Sequence, residues 1–407
     1  MPFAAALSEH PLTAHAAGEV TGAVLETLGE RPDLALVFVT PPHAGALEDV
    51  MRTVQEVLHP MVAVGAAAES VVGPHREIEG TAAVTLFAGH VGPVVAAHLE
   101  IEGRGPDDDI GVRGWPESLP FEPQALLLVG DPFSFPVEAF LDWAGRHHPG
   151  LPVVGGMASA ARGPGGNRIA LGTRVRSTGA LAVLLGPGAE LATVVSQGCR
   201  PFGQPMVVTA ARRNLIVELA GRPALEQLVA HARRSLTEDD GAVLEQGGLH
   251  VGRVLDEHRD RFGPGDFLVR NVLGADRSSG AIAVGDEVPV GTTVQFHLRD
   301  AAGADADLRA LVGAQRADAA LVFTCNGRGT RLFGRPHHDV GVVAELLGPV
   351  PVAGFFAAGE LGPVGGRNFL HGFTASVALL RERRTPPPPP AAAAGGAADG
   401  GGPPGRF

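Results

Sequence analysis

A chain of 407 residues is too long for one ordinary hydrophobic core and predicts two domains or more. Its 44 acidic against 32 basic residues leave a net charge of -12 with no block of five cations, so the electrostatic footprint of a nucleic-acid binder is missing. It has neither lysine nor tyrosine, which excludes Schiff-base chemistry, a phosphate-loop lysine and a tyrosine acid.

Residues 1–16 are weakly patterned and read as a flexible leader, without the cation and apolar core of a secretory signal. Ala17 to Leu28 follows as a helix. Leu34 to Val39 is a continuous apolar run between prolines, as a strand buried on both faces should look. Leu47, Val50, Met51, Val54 and Leu58 recur at helical spacing, and Met61 to Val64 is strand again, stopped at Gly65. Thr81 to Phe87 completes the unit.

The order then repeats. Ala125 to Val129, Val137 to His147, Pro152 to Ser159 and Gly179 to Leu185 form a second copy. Ala319 to Thr324, Asp339 to Leu347, Val350 to Gly354 and Phe373 to Leu380 form a third. A helix between two apolar strands predicts a right-handed crossover with parallel pairing, and the copies predict an internal structural repeat. Gly65, Gly155 and Gly354 close the short strands, for a tight turn or for close approach of main chain to a ligand.

Between the second and third copies, Val194 to Gly203 and Met206 to Thr209 read as strand, turn, strand, and Phe267 to Leu298 is spaced like a meander. The fold class is therefore mixed α/β. The sequence divides into an α/β domain over 17–220, a second over 221–383 with antiparallel additions, and a disordered Pro/Ala/Gly tail over 384–407.

The polar groups of the third copy stand on loops at strand ends: Cys325, Asn326, Arg328 and Gly329 on one, Gly354, Gly359 and Glu360 on the next, His371 on the last. The planar fork of Arg328 suits a carboxylate and Glu360 suits an ammonium, which together match the charged ends of an amino acid. Alternatively the two pair with each other, or with Arg270, as a structural bridge. Asn326 and Asn271 orient a ligand or tie turns. Cys325 with His371 would serve a cysteine hydrolase or transferase, whereas a lone strand-end thiol is more often a small apolar filler. Two cysteines do not make a disulfide framework or a cysteine-rich zinc site, and fit a reducing cytoplasm. No run approaches the roughly 20 apolar residues that cross a bilayer.

The order and spacing of these segments resemble the FIST family, the F-box and intracellular signal transduction sensory module, with its N-terminal and C-terminal domains in tandem. The N-terminal likeness is carried by Leu34 to Val39, Pro152 to Gly156, Gly198 to Gly203 and Val217 to Leu225. The C-terminal likeness is carried by Val269 to Gly274, Cys325 to Gly329, Ala353 to Phe356, Gly359 to Pro363 and Leu370 to Thr374. The resemblance implies a cytoplasmic sensory protein that binds a small molecule such as an amino acid, without a cofactor, and passes its signal to a separate output protein. It also implies an alternative, a haem-binding nitric oxide sensor, for which any of sixteen histidines could be the axial ligand. The expected site is a cleft lined by the C-terminal loops and bordered by Gly155 to Ser159.

Overall fold

The structure, a computed structural model, describes residues 2–103, 110–245, 247–259, 261–263 and 265–383. The first copy runs β1 (Phe3–Ser8), α1 (Thr13–Leu28), β2 (Leu34–Val39), α2 (Pro41–Ala44), α3 (Leu47–Leu58), β3 (Val62–Ala67), the hairpin β4 (Ser70–Val72) and β5 (Glu77–Glu79), and β6 (Val84–Gly89). The second runs β7 (Val94–Glu102), β8 (Gly111–Arg113), β9 (Ala125–Gly130), α4 (Val137–His147), β10 (Val153–Met157), the hairpin β11 (Ile169–Leu171) and β12 (Arg174–Arg176), and β13 (Ala180–Leu185). The third opens with β14 (Ala189–Ser196) and is then interrupted by β15 (Cys199–Arg212), β16 (Leu215–Leu219), β17 (Arg222–Pro223), α5 (Ala224–Ser235), α6 (Glu238–Glu245), β18 (Leu249–Val254), β19 (Phe267–Asp276), β20 (Ala281–Val284) and β21 (Thr293–Arg299). It resumes with α7 (Ala301–Gly313), β22 (Ala319–Cys325), α8 (Thr330–Phe333), α9 (His338–Leu347), β23 (Val352–Ala357), the hairpin β24 (Glu360–Val364) and β25 (Arg367–His371), and β26 (Ala375–Glu382).

The predicted parallel pairs are present as β2 with β3, β9 with β10 and β22 with β23. Each pair is flanked by an antiparallel strand of its own copy, β6, β13 or β26. Beyond the parallel pair, each hairpin leaves its copy: β11 joins β3, β24 joins β10, and β4 joins β23. The three copies thus trade hairpins in a ring, and none completes its sheet alone.

The inner faces of the three sheets share one core. At its centre the rings of Phe38, Phe323 and Phe355 lie 4.9 Å (Phe38 to Phe355) and 5.3 Å (Phe323 to Phe355) apart. The outer faces are covered by α1 and α3, by α4, and by α7 and α9. Strands covered on both faces need no polar alternation, which is why they read as unbroken apolar runs.

Gly155 and Gly354 sit in mid-strand rather than at a strand-closing turn. They lie opposite Leu128 and Val322, with φ of 146° and 156°. A Cβ on either would collide with the carbonyl oxygen of that neighbour, so the close approach is of strand to strand. Gly65 occupies the same register against Val37 and faces the Met51 sulfur instead.

The segment expected as a flexible leader is corrected. Phe3–Ser8 is an edge strand paired along its whole length with β6, and Phe3 is fully buried. Its alanine-rich sequence gives little periodic signal, yet small side chains are what the space beneath α1 admits. Cys199–Arg212 is one long strand with an irregularity between Phe202 and Met206, where a turn was expected. Ala220, the expected domain boundary, lies in the turn between β16 and β17 of the sheet ordered β15-β21-β18-β19-β20-β16-β17. That sheet is an insertion in the third copy and has its own core with α5. The tail over 384–407 lies outside the described residues.

Candidate functional site

The ring of copies creates three equivalent strand ends. The amides of Thr40, Asp131 and Cys325 donate to the carbonyls of Ala83, Gly179 and Thr374, at 3.0, 2.9 and 3.0 Å. In the first copy the end is closed, since the Thr40 hydroxyl accepts from the Ala83 amide at 2.7 Å. In the second, Asp131 accepts from Asn167 at 2.9 Å and from Ser134 at 2.6 Å. The third end is different. Around it Asn326 Oδ1, Arg328 Nη1, Glu360 Oε1, Glu77 Oε2, Arg299 Nε and His250 Nε2 are buried without a hydrogen-bond partner among the described residues, against His43 Nε2 beside the first end. Unsatisfied buried polar atoms are costly, and a native fold seldom gathers several without an occupant.

Arg328 is fully buried. Its Nε and Nη2 donate to Asp339 Oδ2 and Oδ1, each at 2.8 Å. The Thr324 hydroxyl donates to the same carboxylate at 2.6 Å, and His338 bridges Asp339 (2.9 Å) and Asp305 (2.8 Å). Burial alone would raise the Asp339 pKa, but the guanidinium and these hydrogen bonds hold it far below the ordinary range. The Phe333 ring lies 5.2 Å from the guanidinium. Two arms of Arg328 are therefore structural, and Nη1 is left.

Glu360 is also fully buried, at the start of β24. One oxygen accepts from the Thr374 amide (3.1 Å) and hydroxyl (2.8 Å), and the other is unpartnered. Burial pushes its pKa up to about 8, against the opposing pull of Thr374, Arg328 and Arg299. Arg299, from the end of β21, donates to the Gly327 carbonyl at 2.9 Å and lies 4.0 Å from the Cys325 sulfur. The thiol accepts from the Gly327 amide at 3.2 Å, and burial pushes its pKa up to about 11.

The hairpin β4–β5 of the first copy closes the other side. Glu79 accepts from the Thr330 amide at 3.0 Å, which explains Gly329: a Cβ there would meet that carboxylate at 2.6 Å. Glu77 accepts from the Val340 amide at 2.9 Å, and burial together with Asp339 raises its pKa to about 8. Ser159 of the second copy ties it to the other two, accepting from the Glu69 amide at 2.9 Å and donating to the Phe356 carbonyl.

Cys325, Asn326, Arg328 and Glu360 are thus brought together, but in the interior rather than in an open cleft. Arg328 pairs with neither Glu360 nor Arg270. Gly354 is internal to its sheet, and the Gly359 carbonyl accepts from Met157, so both glycines serve strand packing. His371 is buried with Nε2 donating to the Gly362 carbonyl at 2.9 Å, and burial lowers its pKa to about 4. With that nitrogen engaged and the thiol held by Gly327 and Arg299, no thiol–imidazole hydrogen bond exists among the described residues.

Arg270 and Asn271 stand outside, at a hollow of about 260 Å³ between β19 and β25 that His371, Gly372 and Phe373 also line. Arg270 donates to Asp286 (3.2 Å) and to the Leu370 carbonyl (3.0 Å), joining the inserted sheet to the exchanged hairpin. Sequence reading missed Arg299, His250, Asp339 and Glu77. Only Asp339 carried a local signal, an acid in the first turn of a helix that follows the arginine loop.

Three sheets in a ring with exchanged hairpins, an inserted antiparallel sheet and a polar interior at one strand end define a repeat-built mixed α/β protein. The FIST N domain matches residues 33–222 and the FIST C domain residues 207–363, and the chain belongs to the FIST family. An uncharacterized protein of Mycobacterium tuberculosis is 40% identical over 390 residues, covering 93% of this chain and 99% of its own. An uncharacterized protein of Mycobacterium bovis is 41% identical over 376 residues, covering 91% and 96%. FIST domains are associated with sensory roles in signal transduction. Among the described residues no helix is long and apolar enough to cross a membrane.

Proposed function

We propose that this protein is a sensory protein of intracellular signal transduction whose ligand is a small zwitterion, an amino acid or a similar polar metabolite. The observation that carries this reading is the composition of the unpartnered set. Arg299 Nε and Arg328 Nη1 are cationic donors suited to a carboxylate, while Glu360 Oε1 and Asn326 Oδ1 are acceptors suited to an ammonium. Their burial strengthens both interactions by excluding water. Cys325 is a small neutral filler in this arrangement, held protonated by burial.

The test is a thermal-shift and calorimetric screen of the amino acids against their deaminated and decarboxylated analogues. A binder raises the melting temperature by mass action, and the analogues lacking either charged end should not. Glu360→Gln, nearly isosteric and without charge, should retain the fold and lose binding. Analogues without an ammonium that bind equally well, or a panel with no binder, would refute the assignment.

A further inference from the structure

We infer that the hollow between β19 and β25 is the mouth of the buried centre and that Phe373 is the door between them. Phe373 has a φ of 67°, a left-handed backbone that a bulky residue seldom adopts, and it follows Gly372, beside which there is open space. One side of the residue lines the hollow of about 260 Å³ with Arg270, Asn271 and His371. Its ring lies 5.0 Å from the Arg299 guanidinium and edge-on to His250, with centroids 4.7 Å apart.

Behind the ring stand Arg299 Nε and His250 Nε2, two of the buried atoms without a partner. Immediately after it, Thr374 holds Glu360 through its amide and hydroxyl. A rotation of residue 373 out of its left-handed conformation would therefore uncover both guanidinium and carboxylate from one side. The cation–π contact with Arg299 and the edge contact with His250 keep the door shut when the centre is empty. A ligand carboxylate on Arg299 would compete with the ring for the same cation, coupling occupancy to the position of the Gly372–Phe373 loop.

This inference rests on the buried centre being the binding site, but its test needs no ligand. Cys325 lies beside Arg299, its sulfur 4.0 Å from Nη2, whereas Cys199, the other cysteine, is opposite Arg299 on β15 but lines a separate hollow with Gln197 and Phe267 that Phe373 does not border. The full-length protein is treated with iodoacetamide at neutral pH and each cysteine peptide is followed by mass spectrometry. Phe373→Ala and Phe373→Gly should speed alkylation of Cys325 by roughly tenfold or more and leave Cys199 unchanged, because opening hydrates a thiol that burial holds protonated. The glycine variant accepts the left-handed backbone without strain and preserves the fold. An unchanged rate at Cys325 in both variants, or equal acceleration at both cysteines, would overturn the door. A door that opens in a protein that binds no amino acid would refute the ligand class alone.

Discussion

The guanidinium of Arg328 grips the carboxylate of Asp339 through two parallel hydrogen bonds of 2.8 Å, with both side chains withdrawn from water. Such a pair contributes little net stability, yet removing one partner strands the other as an uncompensated buried charge. Asp339→Ala and Arg328→Ala should each cost about 3–5 kcal/mol, read as a fall in the urea midpoint with an unchanged slope. Arg328→Ala thus cannot separate binding from folding, and a variant that keeps wild-type stability would remove the structural role argued for the pair.

Glu360 makes stability fall with rising pH. Its folded pKa of about 8 lies above the unfolded 4.5, so the folded state holds the extra proton. The resulting stabilisation is complete below about pH 4.5 and disappears as pH rises toward 8, at about 1.4 kcal/mol per unit. Glu77, also near 8, acts in the same direction. The buried histidines His250, His297 and His371, each held near 4, act oppositely and lose their contribution as pH falls from 6.5. Comparing wild type with Glu360→Gln isolates the carboxyl: their stability difference should move in favour of Glu360→Gln between pH 5 and 8. A constant difference would contradict the raised pKa.

Ligand binding should expel a proton. A ligand ammonium beside Glu360 stabilises the carboxylate and lowers its pKa, so at pH 7 up to one proton leaves per ligand bound. Affinity should then rise with pH, at most about tenfold per unit, and level off near 8. Calorimetry in buffers of different ionisation enthalpy measures the release directly; proton uptake would mean that the ligand presents an anion to Glu360.

Gly155→Ala and Gly354→Ala should each destabilise the fold by about 3 kcal/mol, because the new methyl meets a carbonyl oxygen of the adjoining parallel strand. Gly372→Ala, in open space, should cost far less. Thermal melts of the three variants make the comparison, and equal losses would show that the first two glycines are not squeezed between strands.

Apolar runs such as Leu34–Val39 and Ala319–Cys325 announced strands buried on both faces, and their spacing around amphipathic helices announced the parallel pairs and the threefold repetition. These features are local in sequence, set by side-chain period and by the short reach of a crossover. The loop carrying Cys325, Asn326 and Arg328 was legible for the same reason, as polar residues bracketed by glycine at a strand end. Tertiary structure alone decided which partners meet them. Hairpin exchange brings Glu77 and Glu79 to a loop some 250 residues away in sequence, and the inserted sheet brings Arg299 and His250. No periodicity encodes such meetings, because main-chain pairing between strands is indifferent to side-chain identity while burial of a charge depends on every neighbour that surrounds it.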